Sequence, residues 1–114
     1  MKHRSSSCVV VLVTCPTRAV ARRIATALVT RRLAACVNRL PGAESTFRWQ
    51  GKVDRCREVL LLIKTTRRRF GPLARAVARL HPSEVPEVIA LPITAGAAPY
   101  LQWVQASVIG GDAG

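Results

Sequence analysis

The apolar positions of this chain fall into two rhythms, and their alternation predicts the elements. Residues 8–14 are continuously apolar, as in a strand covered on both faces or central in a sheet. Pro16-Thr17 marks a helix start with Thr17 as N-cap. Val20, Ile24 and Leu28 then recur at i, i+4 and i+8 beside Ala21, Ala25 and Ala27, which predicts a helix over about residues 18–32. A second strand begins over residues 35–38, is bent or interrupted at Pro41-Gly42, and resumes over residues 45–49. There the alternation places Phe47 and Trp49 on one face, with Thr46 and Arg48 on the other. Gln50-Gly51-Lys52 reads as a tight turn. A third strand follows, ends in the apolar run 59–63 and is closed by Lys64-Thr65-Thr66. Phe70, Leu73, Val77 and Leu80 predict a second helix with Pro72 in its first turn. Residues 88–91 form a fourth strand. After a loop over residues 95–99, Tyr100 to Val104 predicts a short terminal helix with Pro99 near its first position.

The resulting order is β-α-β-β-α-β plus a terminal helix. This is an α+β, ferredoxin-like arrangement: an antiparallel sheet with two helices on one face. At 114 residues the chain reads as a single domain, 1–114, with a core of about 8–107 and flexible ends at 1–7 and 108–114. Apolar residues make up 49%, a large share for one small domain. The longest runs are strand-sized, well short of the roughly 20 residues that span a bilayer, so no membrane partner is expected. Burial between subunits is the simplest use for the excess, since obligate interfaces resemble a core cut in half. The basic start Met1-Lys2-His3-Arg4 before an apolar run imitates a secretory leader. The run ends at Thr14-Cys15-Pro16 without a small-residue cleavage site, and removing it would delete a strand. A cytoplasmic location is expected.

Charge changes the picture less than its size implies. The formal net charge is +12, from 18 Lys and Arg against 6 Asp and Glu. Arg18, Arg22, Arg23, Arg31 and Arg32, then Arg67, Arg68, Arg69, Arg75 and Arg79, recur along the two helices as their solvated faces. Such an excess attracts polyanions non-specifically. A nucleic-acid-binding protein is the weaker reading: there is no recognised motif, and 4% aromatics is too few for a stacking platform. Cys8, Cys15, Cys36 and Cys56 include no C-x-x-C pair, so neither a zinc knuckle nor a dithiol redox site is indicated. Unpaired usage of this kind suits a reducing compartment.

The segment from His81 to Pro92 carries the candidate chemistry. It sets a histidine and two carboxylates, Glu84 and Glu87, within seven residues and then enters an apolar strand. Pro82 and Pro86 fix φ and remove backbone donors, so the side chains ride on a stiff loop. Histidine flanked by carboxylates is a possible metal-ligand set. The alternative is a polar connector whose glutamates meet arginines. Acid–base work by His81 with Glu84 or Glu87 is conceivable, but nothing supplies a nucleophile with an evident base. Binding is therefore expected, not turnover.

Five ordered segments bear a resemblance. Leu33-Ala34-Ala35-Cys36-Val37-Asn38, Trp49-Gln50-Gly51-Lys52, Ile63-Lys64-Thr65-Thr66, His81-Pro82-Ser83-Glu84-Val85-Pro86-Glu87 and Tyr100-Leu101-Gln102-Trp103 resemble the CutA family, the divalent-cation tolerance proteins, over about residues 9–105. The resemblance implies a cytoplasmic homotrimer of ferredoxin-like subunits, similar in architecture to the PII-type signalling proteins, with a link to copper and other divalent metals. It implies no defined reaction. His81 matches the histidine of the family's proposed copper sites. Leu80 stands where some members carry a second histidine, Val13 where some carry a cysteine, and Ser83 where the motif tyrosine is usual. Cys15, two residues after Val13, could stand in for the missing cysteine, so the metal set implied is His81, Glu84, Glu87 and Cys15. Cys36, Trp49, Lys64, Tyr100 and Trp103 match residues that gather around clefts between subunits. Lys64 and the basic balance leave open a second reading, a PII-like trimeric module for a small anionic ligand.

Overall fold

In the first strand, β1 (Cys8–Cys15), side chains alternate between two environments despite the uniform apolar sequence. Val9, Val11, Val13 and Cys15 are buried, whereas Val10, Leu12 and Thr14 remain partly open. The computed structural model describes residues 7–110. The elements that follow are α1 (Arg18–Thr30), β2 (Cys36–Trp49), β3 (Lys52–Thr66), α2 (Phe70–Leu80), β4 (Val88–Pro92) and α3 (Ala98–Val108). The strands form one sheet in the order β2-β3-β1-β4 with every neighbouring pair antiparallel, which is the ferredoxin-like topology the pattern predicts.

Helices α1 and α2 cover one face. Ala21, Ile24 and Leu28 of α1 and Leu73, Ala76 and Val77 of α2 pack with Val9, Val11, Val13, Val59, Leu61 and Ile63 into a single core. Thr17 caps α1, its hydroxyl accepting from the Val20 N–H at 3.1 Å. The helix ends at Thr30, two residues before the predicted stop. Arg32 takes a left-handed φ of 58°, and the Leu33 N–H reaches back to the Leu28 carbonyl at 2.9 Å. Both leucines are fully buried, so a hydrophobic contact locks this C-terminal motif.

The predicted break at Pro41-Gly42 is instead a bulge inside one long strand, with pairing to β3 shifting between Leu40 and Ala43. Two features permit this. β2 is an edge strand, where a missing proline N–H costs no ladder bond, and Gly42 supplies a φ of 86°. Beyond the bulge β2 and β3 run out as a hairpin arm, closed at Gln50-Gly51 with φ of 51° and 80°, the signs of a type I′ turn. A 3-10 turn, Arg67–Arg69, precedes α2 and places Pro72 in the helix's first turn as predicted.

The opposite sheet face is only partly covered. Helix α3 lies over one end of it, burying Leu101, Val104 and Val108 against Cys8 and Ala35. It runs four residues past the predicted Val104 and ends at Val108, the first residue of the C-terminal end expected to be flexible. That residue is 3% exposed, and its carbonyl accepts from Arg69 Nε at 2.9 Å. Ser7, also expected to be flexible, accepts at Oγ from Gln105 Nε2 at 2.8 Å. The remaining expected flexible residues, 1–6 and 111–114, lie outside the described residues. Next to the α3 end, Leu12, Leu62 and Ile89 form a cross-strand row, flanked by Val10 with Leu91 and by Leu60 with Leu40. No element of this chain covers that row among the described residues. Leu40, Ile89 and Leu91 are each 42–49% exposed.

Candidate functional site

Helix α2 stops at His81, whose backbone turns to an extended ψ of 136° because Pro82 follows. The imidazole then fastens the loop to the end of β1. Its Nε2 lies 2.7 Å from the Thr14 carbonyl oxygen, and its Nδ1 lies 3.0 Å from the Ser83 backbone nitrogen. A carbonyl only accepts and a backbone N–H only donates, so the ring is the neutral Nε2–H tautomer, donating to Thr14 and accepting from Ser83. The Ser83 hydroxyl accepts from the Val85 N–H at 3.3 Å and tightens the next turn. Any metal bound at Nδ1 must displace the Ser83 N–H.

Between this loop and the hairpin arm lies an open cleft of about 880 Å³. Trp49 and Phe47 on the arm form its apolar wall, and Asp54, Glu58, Glu84 and Glu87 its acidic lining. The described residues contain five carboxylates: these four and Glu44, which is paired with Arg57 at 3.3 Å. No lysine or arginine lines the cleft among the described residues. In a chain of net charge +12, nearly all the described negative charge is therefore gathered in one place.

His81, Glu84, Glu87 and Trp49 are thus brought together. Asp54 and Glu58 are cleft members that the sequence pattern did not single out. Their signal is the i, i+2, i+4 spacing of Asp54, Cys56 and Glu58, which a strand presents on one face. The exposed Cys56 thiol titrates above its usual range, through desolvation first and then the charge and hydrogen bond of Glu58 and the charge of Asp54.

Cys15 does not join them. It shares a strand face with Val11 and Val13, is 0% exposed, and packs in the core under the helices. Burial, with a smaller contribution from Glu58, pushes its thiol up to about 11. The thiolate is the ligand form, so this residue is poorly placed in position and in protonation. Pro16 does not redirect it toward the cleft, because parity along β1 sets its face. Among the described residues no three of His, Cys, Asp and Glu come close enough to enclose a metal ion. The cleft is a concentrated field with dispersed donors.

Cys36, Lys64, Tyr100 and Trp103 form a second group. Cys36 lies opposite Lys64, which in turn lies opposite Val10, four residues along β1 from Thr14 and hence about 13 Å from the His81 end. Lys64 Nζ donates to the Asn38 side-chain oxygen. Tyr100 and Trp103 meet with ring centroids 5.6 Å apart at 40°. The Tyr100 hydroxyl titrates above its usual value, raised first by burial and then by Cys36. Trp49 and Trp103 are 44% and 47% exposed in the single chain, so any fuller burial has to come from another molecule.

Comparison with known proteins places these features. A family profile described as CutA1 divalent ion tolerance protein matches residues 9–107. The chain is 54% identical over 96 residues to the divalent-cation tolerance protein CutA of Thermus thermophilus, covering 84% of this chain and 93% of that protein. It is 50% identical over 93 residues to the human protein CutA, covering 82% of this chain and 52% of that protein; the chain thus spans about half the length of this longer relative. The solved structure of the divalent cation tolerance protein from Thermus thermophilus superposes with a TM-score of 0.87 at 52% identity, covering 88% of this chain and 97% of that one. The structure of CutA from Xylella fastidiosa superposes at 0.88 with 41% identity, over 90% and 99%.

Proposed function

Since this chain belongs to the CutA1 family of divalent ion tolerance proteins, we propose that it works as a homotrimer whose acidic cleft takes up divalent cations, copper among them, without turnover. The observation that carries this reading is the placement of charge. Four carboxylates and no lysine or arginine among the described residues line one cleft of a strongly basic chain, and clustered like charge raises the local concentration of counter-ions. Carboxylate oxygens and an imidazole suit borderline divalent ions. His81 contributes a ring nitrogen once the Ser83 N–H is released, and water completes the coordination. The dispersed donors make the expected affinity modest.

The apolar row on the open sheet face supports assembly, since neighbouring copies would remove it from water. Among the described residues no helix is long and apolar enough to cross a membrane. All four cysteines are free thiols, which supports the cytoplasmic assignment. Calorimetric titration of chelator-treated protein with copper and zinc ions tests the reading. Saturable binding should weaken in Glu84→Gln and in His81→Ala. Equal, tight binding by wild type and both variants at pH 7 would move the cation out of this cleft.

A further inference from the structure

The groove between α1 and the bulged part of β2 contains an arrangement that the amphipathic pattern of α1 does not explain. Arg18 and Arg22 are one helical turn apart and share a face of α1. Arg39 reaches the same groove from the sheet. It has the parity of Val37, which packs on the helical core, and lies opposite the buried Leu61. The three arginines line a hollow of about 150 Å³ whose floor is Ala21 and Val59 and whose rim is Pro41. None of the three makes a hydrogen bond or ion pair among the described residues, and no carboxylate lines the hollow there. Like charges drawn around one concavity repel unless an anion lies between them. Arg22 also borders the outer surface of α1, but Arg23 and Arg31 line that surface without reaching the hollow.

We propose that Arg18, Arg22 and Arg39 form a binding site for a small phosphate monoester, next to the acidic cleft and bordered on one side by its Glu58. Guanidinium forks match phosphate oxygens in pairs, which a single ammonium cannot do. The hollow has room for one phosphoryl group. It opens into a wider groove of about 440 Å³ that shares Arg18, Pro41 and Val59 and is bordered by Thr17, Arg57 and Glu58; the Arg57 guanidinium is already engaged by Glu44. The organic part lies there. Glu58 accepts hydrogen bonds from hydroxyl groups and repels a second phosphate, so the site favours a hydroxylated monoester over a polyphosphate or a nucleic-acid backbone.

Titration of the full chain with glucose 6-phosphate, inorganic phosphate and double-stranded DNA tests this, by calorimetry and by 31P chemical shift for the two small probes. Glucose 6-phosphate should bind saturably and more tightly than inorganic phosphate. Arg39→Gln should weaken it by about tenfold or more, the loss of a charge-assisted pair. Arg39→Lys, which keeps the charge but not the fork, should fall between. Arg23→Gln removes the same charge from the outer side of α1 and should change binding by less than about twofold. Equal weakening by Arg23→Gln and Arg39→Gln, or DNA binding tighter than the ester and lost equally in both, would reduce the site to diffuse surface charge and overturn the proposal. Failure of glucose 6-phosphate to bind, or binding no tighter than inorganic phosphate, would overturn the monoester assignment. Cation binding in the acidic cleft is read in a separate titration with Glu84→Gln and His81→Ala, neither of which borders this groove, so the two readings fail separately.

Discussion

The two faces of the central sheet are built from nearly the same amino acids and end in different states. On one, Val9, Val11, Val13, Leu61 and Ile63 are closed off by α1 and α2 and have essentially no contact with water. On the other, Val10, Leu12, Leu60 and Leu62 alternate with them along the same strands, and only the α3 end is covered. A continuous apolar strand records that both faces avoid water without recording what does the covering. Here one cover is intramolecular. The other, beyond α3, is not supplied by the described residues, and the proposed trimer would supply it with a second copy.

Substitutions on the two faces should therefore fail in different ways. Leu62→Glu, on the open face, should abolish assembly. Light scattering after size exclusion should move from roughly three times 12.4 kDa to a single-chain mass, because a charge at an interface centre is poorly tolerated. A wild-type chain that already runs as a monomer would remove the contrast. Leu61→Ala, its neighbour on the covered face, should keep the oligomer and lose about 2–5 kcal/mol in denaturant unfolding, the usual cost of a core cavity. Trp103→Ala probes the boundary between the faces. If α3 abuts a second copy, the loss approaches the 3–5 kcal/mol or so of a well-buried aromatic and the melting temperature becomes concentration-dependent. An unchanged melting temperature would make α3 a surface helix only.

The smallest expected effect is a titration. The folded Cys15 thiol is held up to about 11 against an ordinary 9.0, so folding favours its neutral form. That contribution is complete below pH 9 and is lost as pH rises toward 11. Melting curves of wild type and Cys15→Ala should converge over that window, with wild type falling more steeply. Parallel curves would mean that Cys15 ionises freely and is not sealed in the covered face.

Much of the architecture was legible because periodicity survives in the sequence: α1, α2 and the hairpin turn follow from spacing, Thr17 and Gln50-Gly51. The two-sided character of β1 was not, because five consecutive apolar residues carry no alternation to read. Pro41-Gly42 reads as a break only while the strand's neighbours are unknown; at a sheet edge it becomes a bulge. α3 extends to Val108 through Gln105, Ala106 and Ser107, a stretch too weakly patterned to announce a helix. The loop half of the cleft was legible, since His81, Glu84 and Glu87 are adjacent and prolines fix their setting. The arm half needed tertiary placement: Asp54 and Glu58 meet the loop only once the hairpin is folded beside it. β1 is the central strand its apolar run predicts, but the run conceals parity, so it could not show that Cys15 faces the helices and not the cleft.

The hairpin arm has a consequence of its own. Beyond the bulge its residues are almost all exposed, and the molecule is drawn out to 47 Å in its longest direction. Two paired strands without a covering layer are marginal in water, so in the proposed trimer the arm would gain rigidity by leaning on another copy. Because Asp54, Glu58, Phe47 and Trp49 ride on it, one wall of the acidic cleft would be only as firm as that contact. If the proposed trimer and cation uptake hold, dilution should act as a chelator would: as copies part, the arm should loosen, the carboxylates spread and bound ions leave. On that reading, holding capacity should rise more steeply than chain number, with the hairpin reporting how crowded the copies are.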